Sequence, residues 1–207
     1  MSESIYLPKK GFHIAFTGID GAGKSTQAGR LTHHIQTMYG RAYFAEPRTD
    51  LISQLLHTLA HQHGQTGRRA YYGNHVVDFS KAFDVVRDYY STIAPLLSGG
   101  MHVIEPRTVY CRIAMALAME GARDKKTEEV LATIPRPDLL FWIDTDPTVA
   151  LARINKRGID TDRLGNLQSF SQAFRQMPES ESWIRLNGNL LPGKIFHQVK
   201  KHLTVLF

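Results

Sequence analysis

The chain has 207 residues, enough for one α/β domain with a full core, and 43% of them are hydrophobic, an ordinary globular share. Lysine and arginine number 25 against 19 acids, a formal charge of +6, but the positive residues are scattered, which favours a polyanionic nucleotide over a nucleic-acid polymer as partner. One cysteine, Cys111, excludes an internal disulfide; no apolar stretch approaches the ~20 residues of a bilayer span and the N-terminus carries no signal-peptide core, so a cytoplasmic protein with no membrane partner is expected.

Residues 1–10 read as a loose tail, and no repeat, low-complexity tract or long linker divides the rest, so 1–207 reads as a single domain. Residues 12–17 form a short apolar strand. It runs into Gly18-Ile19-Asp20-Gly21-Ala22-Gly23-Lys24-Ser25-Thr26, which fits the phosphate-cradling pattern G-x-x-x-x-G-K-[ST], and a helix follows to about Thr37. The glycines let backbone N–H groups meet phosphate oxygens with no side chain in the way, and the helix turns its positive end to the same anion. Lys24 adds a point charge near the β/γ-phosphates, and the Ser25 hydroxyl can hold Mg²⁺. Gly18, Asp20, Gly21, Ala22, Gly23, Lys24, Ser25 and Thr26 are therefore the expected ATP-binding residues.

A second strand over 41–45 ends at Glu46-Pro47-Arg48, and Asp50 is placed to cap a helix from Leu51 to Gln62. A polar loop over 63–69 precedes a long helix from about Asn74 to Leu97, bent near its end by Pro95. The third strand, 101–104, ends at Glu105-Pro106-Arg107, and an apolar helix runs from Tyr110 to Glu120 with a short one at 127–132. The fourth strand, 138–144, is an uninterrupted apolar run, as a sheet covered on both faces requires. Asp146-Pro147 opens a helix to Arg157, closed by Gly158; residues 158–168 read as a polar loop and 169–176 as a helix. A last strand at 183–187 and a helix from Leu191 to Leu206 complete the chain. The alternation predicts a three-layer α/β fold, a parallel sheet of about five strands with helices on both faces.

A phosphate loop alone does not separate kinases, GTPases and motor ATPases. Asn155-Lys156-Arg157-Gly158 lacks the aspartate of a guanine reader, and Ile104-Glu105 is followed by proline rather than by a second acid. A small kinase remains. Its transferring phosphoryl group needs positive charge gathered around it, and the segment after the fourth strand supplies Arg153, Lys156, Arg157 and Arg163 as a short basic lid over about 153–168.

These residues together resemble the thymidylate kinase family of nucleoside monophosphate kinases along most of the chain. Phe16 to Gln27 is similar to that family's phosphate loop, including the inner aspartate and the glutamine after it. Glu46-Pro47 falls at its Arg-Glu-Pro-Gly-Gly, Arg107 on the arginine of its Asp-Arg-Tyr, Pro137 to Leu140 with Asp144 and Asp146-Pro147 on its fourth strand and helix, and Arg157-Gly158 with Asp162-Arg163 on its lid. The resemblance implies that Lys24, Arg153, Arg157 and Arg163 handle ATP phosphates and that Arg107 bridges donor and acceptor phosphates. It places Asp20 near the acceptor sugar and makes Glu46 and Glu105 candidates for a Mg²⁺-bound water or the acceptor hydroxyl. A homodimer is common in that family.

The departures gather at the acceptor. The arginine before Glu-Pro is Ala45 here, with Arg48 as a substitute from another backbone position, and the aspartate before Arg107 is Pro106, with Glu105 one place earlier. The base-reading arginine falls on Val85, with Phe83 left to stack on a base or pack in the core and Arg87 to read one. A polar Tyr-Gln pair becomes Met115-Ala116. Three readings stay open: a dTMP-like monophosphate kinase, a kinase of the same fold acting on a deoxynucleoside or another acceptor, and a nucleotide-bound regulator. Glu-x-Arg at 105–107 is similar to the Glu-Arg-Ser of deoxynucleoside kinases and favours the second; intact Lys24, Ser25, Arg107 and a basic lid argue against the third.

Overall fold

The computed structural model describes residues 10–46, 51–159 and 161–206. Five parallel strands, β1 (His13–Thr17), β2 (Ala42–Phe44), β3 (His102–Glu105), β4 (Leu139–Asp144) and β5 (Ile184–Asn187), lie in the order β2-β3-β1-β4-β5. β1 occupies the centre, and all five of its residues are buried. Ile14, Phe16, Ile104, Phe141 and Ile143 are fully enclosed, and the rings of Phe16 and Phe141 stack at 5.2 Å across the β1–β4 pair. Each such side chain contributes about 1.5–3 kcal/mol through removal from water.

Helices cover the sheet. α1 (Lys24–Tyr39) packs on β2 and β3 and against α9 (Pro192–Lys201), while α5 (Val109–Glu120) packs against α8 (Leu164–Gln176) and α3 (Arg68–Asp88). α7 (Pro147–Arg157) starts as its sequence dictates: the Asp146 carboxylate accepts the Thr148 N–H at 2.8 Å, and Pro147 fills the first turn, where no N–H is needed. Gly158 closes it with φ 67°.

Three local readings need correction. α8 begins at Leu164 instead of 169, so the irregular stretch is shorter than expected. Its exposed face is polar, but Leu167, Phe170 and Phe174 form a buried stripe that continues the helix back over residues read as loop. The helix over 74–97 is longer at its start and discontinuous: α3 begins at Arg68, is kinked at Gly73 (φ 79°), and gives way to a π-helical turn over Tyr89–Ile93 before α4 (Ala94–Ser98). Pro95 has no N–H for the Ser91 carbonyl and its ring would crowd that group, so the chain widens just before it, with the Ala94 N–H donating to the Tyr89 carbonyl. The terminal helix stops at Lys201, followed by a 3₁₀ turn over Leu203–Val205. α2 (Leu51–Gln62) has the bounds expected, but Asp50 lies outside the described residues, as do Arg48 and residues 1–9; within the described residues the Ile52 N–H donates to the Asp84 carboxylate of α3 at 2.8 Å. α6 (Lys125–Leu131) is capped by Asp124. Among the described residues no helix is long and apolar enough to cross a membrane.

Candidate active site

Because β1 and β3 are neighbours, the loops leaving their carboxyl ends lie side by side. The loop after β1 meets α7 closely: a Cβ on Gly21, whose φ is 79°, would stand 2.4 Å from the Ala150 carbonyl oxygen. Residues 20–27 border an open cavity of about 530 Å³, with Arg107, Arg153 and Arg157 on its walls. Ser25 and Thr26 are exposed at its mouth. Arg153 and Arg157 sit one helical turn apart on α7, which explains their common direction. Arg163 is exposed at the start of α8 and is not among the residues around this cavity.

Lys24 is buried at 5% exposure. Its Nζ donates to the carbonyls of Gly18 at 2.9 Å and Ile19 at 2.8 Å, and lies 3.4 Å from Asp20 Oδ1. Arg107 donates to the same Asp20 oxygen at 2.6 Å. Burial by itself would raise the Asp20 carboxyl, but Lys24 and Arg107 more than offset it and hold it below the ordinary aspartate value. Burial, with Arg107 adding repulsion, pushes the Lys24 ammonium below its ordinary value, against the opposing pull of Asp20. Burial likewise lowers Arg153, whose guanidinium donates to the Leu190 carbonyl at 3.3 Å.

On the other side of Arg107 lies a second cavity, of about 290 Å³. Glu46, Glu105 and Arg107 line it, and so do Ala45, Val85, Pro106 and Met115, four of the positions where the acceptor residues depart from the resembled pattern. These four departures, scattered over 71 positions of sequence (45 to 115), thus converge on one space, while Ala116 borders a separate small cavity. Phe83 and Arg87 are not brought there: Phe83 is 46% exposed and meets Phe79 edge to face at 5.1 Å, and Arg87 pairs with Asp84 and Asp88. The helical period turns Asp84, Val85 and Asp88 to the cavity instead, and the π turn adds Tyr89, Thr92 and Ile93. Arg112 was missed by sequence reading: it also borders the cavity, through a tertiary placement with no motif to announce it. Cys111 is buried, with Sγ 3.2 Å from Thr17 Oγ1, and reaches the same wall.

A family model for thymidylate kinase matches residues 16–198. The chain belongs to the thymidylate kinase family. A probable thymidylate kinase of Pyrobaculum aerophilum is 31% identical over 145 residues, 70% of each chain. The thymidylate kinase of Leptospira interrogans is 27% identical over 199 residues, 92% of each chain, and that of Dictyostelium discoideum 25% over 200 residues, 95% of this chain and 86% of its own. Membership makes the chain an ATP-dependent nucleotide kinase, and the matched span holds the phosphate loop, Arg107, Arg153 and Arg157.

Proposed function

We propose that the protein transfers the terminal phosphoryl group of ATP to dTMP, giving ADP and dTDP. The observation that carries this reading is the position of Arg107, which borders both the phosphate-loop cavity and the second cavity in a member of this family. One guanidinium between two phosphate-sized neighbours can hold both and offset the charge that develops between them. Asp20 keeps it at the loop mouth through the 2.6 Å bond. Lys24, held meanwhile by two loop carbonyls, is the cation that a β/γ-phosphate would draw away. Arg153 and Arg157 add charge from α7, and we assign Arg163 to the same donor side as part of a lid over about 153–168 in a single domain.

A Mg²⁺ ion would neutralise charge between the donor phosphates, with Ser25 holding it. The residues fit such an ion at one point: the Ser25 hydroxyl is exposed on the loop cavity, on the oxygen-donor side that a hard cation bound mainly through substrate phosphates uses. The second cavity takes dTMP, with Glu46 and Glu105 as its carboxylates and Arg48 proposed for its phosphate. We propose a cytoplasmic homodimer that covers the apolar side chains left exposed on α2 and α3, Leu51, Leu55, Val76 and Phe83, with no nucleic-acid partner.

Release of ADP from ATP in a coupled assay decides the matter. Turnover with dTMP and none with thymidine is expected; turnover with thymidine alone, or with neither, refutes the proposal.

A further inference from the structure

His13 is out of place on β1. The strand is buried along its whole length, yet it opens with an imidazole at 5% exposure where an apolar side chain would fill the space without polar atoms. Its Nδ1 is buried with no hydrogen-bond partner among the described residues, a cost that stability alone does not explain. Its Nε2 is 3.1 Å from Glu105 Oε2. A carboxylate only accepts, so the shared proton sits on Nε2 whether the ring is neutral or charged.

The contact follows from register. His13 pairs with Val103 and Ala15 with Glu105, so the two side chains leave the same sheet face two residues apart on adjacent parallel strands. The strand is pinned by Asp138, whose carboxylate accepts the His13 amide at 2.7 Å, and the Tyr89 ring packs 6.0 Å from the imidazole. Glu105 in turn lines the second cavity beside Arg107 and does not border the phosphate-loop cavity.

We infer that His13 is a positioning residue: it holds the Glu105 carboxylate on the wall of the acceptor cavity, where that group accepts a hydrogen bond from a hydroxyl of the acceptor's sugar. This rests on the acceptor assignment above. Glu105 has long rotamer freedom at the end of a strand, and one oxygen clamped from beneath leaves the other oriented before the acceptor arrives. The contribution is to acceptor binding, so it belongs in the acceptor KM and not in the handling of ATP.

A double-mutant cycle with His13→Phe and Glu105→Gln tests it. Each single variant is expected to raise the dTMP KM about tenfold with the ATP KM changed less than about twofold, and the double variant to be no worse than either. His13→Gln, which keeps an N–H at similar reach, restores the dTMP KM to within about threefold of wild type. Additive effects, equal loss for ATP and dTMP, or a His13→Gln variant as poor as His13→Phe overturn the inference. Wild-type turnover of dTMP tests the proposed function separately. Should it fail, the ¹⁵N shift of His13 Nε2 still reads the contact: a change on Glu105→Gln supports the clamp, and an unchanged shift overturns it.

Discussion

Substituting alanine at Gly21 and, separately, at Gly23 separates two costs that usually come together. Both glycines have positive φ, 79° and 97°, and a left-handed φ costs an alanine about 1–2 kcal/mol at either place. Their surroundings differ. Around a Cβ at Gly23 nothing lies within 4 Å, so Gly23→Ala bears the conformational cost alone. At Gly21 the same atom meets the Ala150 oxygen at 2.4 Å and its carbonyl carbon at 2.9 Å, backbone atoms inside α7 that no side-chain rotation can move. Forced overpacking of this kind costs about 1–3 kcal/mol more. Urea unfolding at neutral pH is expected to show Gly21→Ala less stable than Gly23→Ala by about that margin, or lower in Tm by several degrees at roughly 2–4 °C per kcal/mol for a chain of this size. The retreat of α7 also displaces Arg153 and Arg157, so Gly21→Ala raises the ATP KM even at a temperature where it is fully folded. Equal stabilities for the two variants would refute the claim that α7 rests directly on the phosphate loop.

Arg107→Ala is expected to change stability by less than about 1 kcal/mol, because its pair with Asp20 is roughly 40% exposed, yet to lower kcat about 10²–10³-fold; a loss under tenfold in steady-state kinetics contradicts its bridging role. Lys24→Met removes an ammonium that burial and Arg107 disfavour but that the Gly18 and Ile19 carbonyls and Asp20 hold, and phosphoryl transfer is expected to fall at least about 100-fold; a loss under tenfold in steady-state kinetics counts against this account of Lys24. Asp20 has a folded-state value below its unfolded one, so its stabilising contribution is complete above about pH 4 and fades as pH falls through the lowered value. The stability gap between wild type and Asp20→Asn, from urea unfolding at several pH values, therefore narrows on acidification; a gap that widens reverses the sign.

Much of this molecule is written locally. The pattern from Gly18 to Thr26, the Asp146-Pro147 helix start and the apolar run of β4 are decided by backbone sterics, capping and hydrophobic period, forces that act within a few residues and survive in a one-dimensional reading. The parallel five-stranded sheet follows from their alternation. Where local signals were weak or overridden, reading failed: the polar exposed face of α8 hid its buried stripe, and the widening before Pro95 depends on how a helix absorbs a missing N–H inside a packed structure.

The cavity proposed for the acceptor was legible only as a set of departures, and their meeting place was not. Ala45, Val85, Pro106 and Met115 share a wall because β2, β3, α3 and α5 converge there, and the rotation of α3 turns Asp84 and Asp88 toward that wall rather than Phe83 and Arg87. His13 gives no sign in sequence of its contact with a carboxylate 92 positions away. Strand order and register bring those two side chains together, and such pairings between distant parts of the chain are selected by burial of the whole core, which no stretch of sequence encodes alone.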